Sequence, residues 1–173
     1  MAINKILTVG RETRIVHYVN KIMPMISDQM KNNNQELVEK AAECLGNLAK
    51  AGGNIIAETV EKTLEQAINW LTKDKSSKSS DIKKYSAVLL LREFCKKLPI
   101  VTFNKLFDIN NSYKHIFTAF RDHRVNVRDT AAECINVCLN LISERESKKS
   151  KQGLLRLIYE EIEVAFNDSD PNF

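Results

Sequence analysis

The 173-residue chain is poor in the residues that interrupt regular structure, with five glycines and three prolines. A protein of many strands and tight turns draws on more of both, so an all-β architecture is disfavoured. Aromatic residues make up only 7% of the chain, which leaves little for stacking along a nucleic-acid strand. No apolar run approaches the roughly 18–20 residues that cross a bilayer. "MAINKILTVGRE" is too short in its apolar part for a secretory signal. The expectation is a reduced, cytoplasmic chain whose four cysteines need no disulfide framework.

Catalytic signatures are missing as well. His17, His115 and His123 fall on different segments, so no Ser or Cys nucleophile has an obvious base. No G-x-S-x-G elbow occurs, and "AGGN" lacks the Lys-Ser/Thr of a phosphate loop. Its glycines suit a helix end instead. Glu160 and Glu161 are expected on a solvated face. No catalytic or cofactor-binding residue is therefore assigned, and no small-molecule substrate is expected. The net charge of +4 is mild and does not by itself mark a nucleic-acid binder.

What is present is a repeat. "AAEC" occurs at Ala41–Cys44 and again, ninety residues on, at Ala131–Cys134. With that shift Leu37 falls on Val127, Ala42 on Ala132 and Leu45 on Ile135. Half the shift brings Ile82, Ala87 and Leu90 onto the same positions. The preceding segments keep the register: Ile15, Val19, Ile22 and Ile26 match Val60, Leu64, Ala67 and Leu71. Lys105, Ile109, Ser112 and Ile116 form a weaker third copy. A period near 45 with two apolar-periodic segments per unit is the mark of an α-helical array.

Within each unit the apolar residues recur at three- and four-residue steps, as one face of a helix requires. Val127, Ala131, Cys134, Ile135, Cys138, Leu141 and Ile142 show it plainly. The spacing predicts an all-α solenoid of about seven helices in antiparallel pairs, winding as a right-handed superhelix. The pairs are 11–30 with 34–50, 55–73 with 80–97, and 100–121 with 124–143, and a last helix covers 151–167. The repeats are thus 11–50, 55–97 and 100–143, with an incomplete fourth over 151–173. "YSAVLLLREFCKKL" is apolar nearly all round, as befits a helix covered on several sides. Ala132 and Ala42 are both expected to face a neighbouring helix.

The chain also reads as a section of a longer array. "INKILTVG" resembles the tail of an unpartnered helix, and "NDSDPNF" turns without a second helix after it. Leu154, Leu157 and Ile158 are then expected to lack a covering neighbour.

Two chemistries remain to be weighed. Cys134 and Cys138 lie one helical turn apart, but tetrahedral zinc needs four ligands. Leu89 occupies the repeat position of Cys44 and Cys134, so that position takes a medium apolar group, and free cysteine serves there. No metal is expected. Lys83–Lys84, Lys96–Lys97, Lys148–Lys149–Lys151 and the group Arg121, Arg124, Arg128 would suit nucleic acid only if they shared one face. Solvated helix ends are the favoured reading, with Arg128 bonded near Asp122. Trp70, beside Leu71, is read as packing in preference to a partner anchor.

Pro24 in "KIMPMI", with Asp122, Val127, Arg128, Ala131 and Ala132 in D-x-x-x-x-V-R-x-x-A-A, resembles the HEAT class of helical repeats. The first copy departs from it, with Asn32, Leu37 and Val38. A closer resemblance rests on L-G-x-L-A-x-A-G at Leu45–Gly52 and A-E-x-V-E at Ala57–Glu61. It continues through A-x-x-W-L at Ala67–Leu71, A-V-L-x-L-R-E at Ala87–Glu93, and Pro99. In this order they resemble the N-terminal HEAT region of the Tor (target-of-rapamycin) serine/threonine protein kinases, over about Gly10 to Asp168. The "KDKSSKSSD" loop is longer than the family's. The resemblance implies a non-catalytic scaffold segment, with the kinase domain outside this chain. It implies protein partners, namely the rest of the Tor chain and a Raptor-like subunit, in a dimeric complex. That complex would act in growth and nutrient signalling, in the cytoplasm and peripherally on endomembranes. The competing reading is a nucleic-acid-binding HEAT array.

Overall fold

A computed structural model describes residues 12–72, 78–107, 112–145 and 148–167. The described residues are helical apart from turns and contain no strand. Met1–Gly10 with "INKILTVG", residues 73–77 of the long Ser/Lys loop, and residues 168–173 lie outside them.

Helix α1 (Glu12–Gln29) carries Pro24 in its interior on an exposed side. α2 (Gln35–Gly52) starts where the Asn34 side chain accepts from the backbone N–H of Leu37 at 3.3 Å, a cap that satisfies one orphan donor of the first turn. It stops at Gly53, whose φ of 51° needs a residue without Cβ and whose N–H returns to the Ala49 carbonyl. A 3₁₀ turn (Gly53–Ile56) leads into α3 (Ala57–Thr72). α4 (Lys78–Lys97) ends just before Pro99, which opens α5 (Pro99–Leu106) at a position where its missing N–H costs nothing. α6 (Lys114–Thr118), a 3₁₀ turn (Ala119–Arg121), α7 (Val125–Arg145) and α8 (Lys148–Asn167) complete the chain.

α4 is the hub, packing on α2, α3, α5 and α7. Tyr85 through Leu91, Phe94 and Cys95 are all buried, which is why this helix is apolar nearly all round. The Ser86 hydroxyl there is not orphaned: it donates to the carbonyl of Met30, just past α1. The stripe Val60, Leu64, Ala67 and Leu71 is buried along α3 as its spacing predicts. Trp70 is half-buried against the same core.

Three expectations are corrected. The segment 100–121 is not one helix but α5 and α6 with a break between them. The Tyr113 N–H donates to the Leu106 carbonyl across that break at 2.9 Å. Phe103, Phe107 and Tyr113 stack through it, with centroids 4.6 and 4.9 Å apart. Ala42 is buried, but Ala132 is exposed. Ile158 is only 1% exposed, because α8 lies on α6 and α7, so it does not lack a cover; Leu154 is half-buried and Leu157 is 38% exposed.

Candidate interaction surface

The second helices of the repeat units, α2, α4 and α7, lie side by side through α4. The apolar face of each turns inward, so the polar residues between the apolar positions come together outside. Glu39, Lys40 and Glu43 on α2 stand beside Arg92, Glu93, Lys96 and Lys97 on α4 and enclose, with Lys50, a charged trench of about 440 Å³. Gly46 lets the two helices approach: a Cβ there would lie 3.2 Å from Glu93 Cβ.

Ion pairs tie this face to α7. Arg92 Nη1 donates to Glu133 Oε2 at 3.0 Å, and Arg92 Nε to Glu93 Oε1 at 3.1 Å. Lys96 Nζ is 3.7 Å from the same Glu133 oxygen. On the α2 side the Tyr85 hydroxyl donates to Glu39 Oε1 at 2.5 Å. Burial, and then that bond to a carboxylate, push the Tyr85 phenol up to about 12. The result is a continuous band of alternating charge rather than a patch of one sign. Such a band offers hydrogen bonds and directional ion pairs to a protein, but no concentrated field for phosphates.

Among the described residues the basic clusters are spread over α4, the turn into α7, α7 itself and α8. Lys83–Lys84 and Lys96–Lys97 sit near opposite ends of α4, about 20 Å apart at 1.5 Å per residue. Arg121 donates to the Val164 carbonyl at 3.3 Å, and Lys151 to the Ser143 carbonyl and hydroxyl. The side chains of Lys148 and Lys149 lie outside the described part.

Arg124 and Arg128 build the turn into α7. Asp122 Oδ1 accepts from the Arg124 backbone N–H at 3.0 Å and from Arg124 Nε at 2.8 Å, and its Oδ2 from Nη2 at 3.0 Å. Arg128 Nη1 donates to the Asp122 carbonyl at 2.7 Å, as the motif implied. Burial alone would raise the Asp122 carboxyl, but the hydrogen bonds and charge of Arg124 outweigh it and hold the group below the ordinary carboxylate range.

One cluster escaped the sequence. Cys134 and Cys138 meet Cys95 from α4, and the three buried sulfurs lie within 4.8 Å of one another. The Sγ atoms of Cys95 and Cys138 are 3.8 Å apart. The hydrogen bond with Cys134, and then that with Cys95, lowers the Cys138 thiol; Cys95 is raised by its bonds with Cys134 and Cys138, and Cys134 by its bond with Cys138. Spacing alone does not pair Cys95 with them, since α4 is apolar nearly all round and several of its flanks could face α7. Cys44 is apart from this group and half-buried.

No family model matches the chain. It is 32% identical over 122 residues to the serine/threonine-protein kinase TOR of Oryza sativa, covering 70% of this chain and 5% of the kinase. It is 26% identical over 155 residues to the serine/threonine-protein kinase tor1 of Schizosaccharomyces pombe, covering 88% and 6%. A similar match, 26% over 152 residues, is to TOR2 of Saccharomyces cerevisiae, covering 86% and 6%. The chain is thus homologous to a short segment of the Tor serine/threonine kinases and spans about one-twentieth of their length. No described helix is long and apolar enough to cross a membrane.

Proposed function

We propose, from its relation to one short segment of the Tor serine/threonine kinases, that this chain is a non-catalytic scaffold element of a Tor-type kinase. The observation that carries the reading is the proportion of the match: most of this chain, but only 5–6% of each kinase. A segment of that size, built wholly of packed helices in its described part, supplies surface rather than chemistry. The alternating band over α2, α4 and α7 is the surface we assign to partners. Those partners are the rest of the kinase chain and a Raptor-like subunit, within a dimeric HEAT-array assembly of growth and nutrient signalling. The assembly acts in the cytoplasm and peripherally on endomembranes.

The test is binding of the 173-residue chain to a purified Raptor-like subunit and, in parallel, to duplex DNA across a salt series. Capture of the subunit should weaken when Arg92, Lys96 and Glu133 are reversed in charge on a chain that remains helical. DNA should bind at tens of micromolar or worse at about 0.15 M salt, as non-specific contacts do. Sub-micromolar nucleic-acid binding that survives that salt would replace the scaffold reading with the nucleic-acid one.

A further inference from the structure

Neither the packing of the array nor the charged band calls for three convergent sulfurs. The interface of α4 with α7 needs apolar volume, and elsewhere in the repeat Leu89 supplies it at the position of Cys134. Yet Cys95, Cys134 and Cys138 point their Sγ atoms at one another from two helices, each sulfur within 4.8 Å of the other two. We propose that these three thiols form a trigonal binding site for a soft, thiophilic, three-coordinate centre of the trivalent-arsenic class.

Charge selects this class, and the sulfur spacing admits it. Three sulfurs on a pyramidal trivalent centre, at bond lengths of about 2.3 Å and angles near 100°, have edges of about 3.5 Å, so the Cys95–Cys138 edge of 3.8 Å has only a few tenths of an ångström to close. Among the described residues no fourth Cys, His, Asp or Glu joins the group, which leaves a closed structural zinc site one ligand short. All three cysteines are buried, so the charge of the product matters. Three thiolates on a trivalent centre sum to zero. The same thiolates on a divalent or monovalent ion would leave one or two negative charges in an apolar interior, where they are costly. Soft sulfur ligands also match a soft acceptor.

The reaction balances without redox chemistry. Arsenous acid, As(OH)₃, exchanges three As–O bonds for three As–S bonds; three S–H protons leave with the three hydroxides as water. Because the sulfurs are buried, entry requires α4 and α7 to part locally, and the rate should follow that opening. Once formed, the three bonds would clamp the second repeat to the third. The proposal is independent of the scaffold reading.

The reduced 173-residue chain is incubated with sodium arsenite and weighed by native mass spectrometry. The expected adduct is one arsenic less three hydrogens, and its melting temperature should rise with arsenite concentration. Cys95→Ala and Cys138→Ala, checked for helicity by circular dichroism, should bind more than about tenfold more weakly. Their residual adduct should retain a hydroxyl on arsenic. Cys44→Ala should bind like the parent chain. No adduct, a parent adduct that keeps a hydroxyl and so uses two sulfurs, or undiminished binding by Cys95→Ala would each overturn the site. Should the alanine variants fail to fold, the hydroxyl count on the parent adduct decides alone.

Discussion

The letters AAEC occur in α2 and in α7, and the two helices present them to different surroundings. In α2, Ala42 is buried and lies one turn from Gly46, which faces Glu93 of α4; Cys44 is half-buried. In α7, Cys134 is buried against Cys95 of the same α4, while Ala132 is exposed. Each second helix therefore has two flanks, one toward the unit before it and one toward the unit after. α4 covers the following flank of α2 and the preceding flank of α7. Burial at a repeat position belongs to the neighbour present, and the letter only permits it.

The sharpest way to break this comparison is a charge on the covered flank. Ala42→Asp places a carboxylate at a site with 0% exposure. Without a partner it costs several kcal/mol, comparable to a domain's whole margin of about 5–15 kcal/mol. The variant is expected to be largely unfolded at 25 °C by circular dichroism. Melting within a few degrees of the parent would mean α2 and α4 are not in contact at this flank.

The turns that enter the two helices extend the comparison. Asn32 Oδ1 accepts from the N–H of Asn34 at 3.0 Å, and Asp122 Oδ1 accepts from that of Arg124 at 3.0 Å, so both turns close the same way. Only the third copy adds the Arg124 and Arg128 clamp. Asp122→Asn makes the later turn chemically like the earlier one. We expect a loss of about 1.5 kcal/mol near neutral pH, the low end for hydrogen bonds to a charged group because asparagine keeps an Oδ1 acceptor. The pH dependence follows from the lowered folded-state value of Asp122. Its contribution is present above the unfolded value of about 3.9 and disappears as pH falls through the folded value. Urea titrations of parent and variant should converge in acid. A gap that stays constant down to pH 2 would remove the charge from the explanation.

The helical segments were legible because three- and four-residue spacing and the breaks at "KNNN", "AGGN" and "KLP" agree with each other. The break between α5 and α6 was not. Phe103, Phe107, Tyr113, Phe117 and Phe120 keep an apolar rhythm through it, and their rings pack in a chain, stacked except for the edge-on Tyr113–Phe117 contact, instead of along one helix. The weak match of Lys105, Ile109 and Ser112 to the repeat was the trace it left; Ile109 itself lies outside the described residues. For the candidate surface, the Asp122–Arg128 contact was legible because both residues sit in one local motif. The Cys95 cluster and the Arg92–Glu133 bridge join residues about forty positions apart, and helix-face spacing says nothing of which flanks meet.

The smallest expected effect tests the open flank. Ala132→Asp puts the same carboxylate at the repeat-equivalent position, where the side chain is exposed. Two terms remain, both small. Aspartate is a poorer helix former than alanine by up to about 0.7 kcal/mol. Asp129, three residues earlier, and Asn136, four later, are both exposed, and the like charge at Asp129 adds a few tenths of a kcal/mol. No desolvation term enters, because water still reaches the group. The sum is about 1 kcal/mol or less, a shift of about 2–4 °C for a chain of this size. Measured beside Ala42→Asp, the difference between the two substitutions isolates what α4 does to one flank. A loss as large as that of Ala42→Asp, persisting at high dilution, would mean the chain itself covers Ala132 in solution, and the two-flank account of α7 would fail.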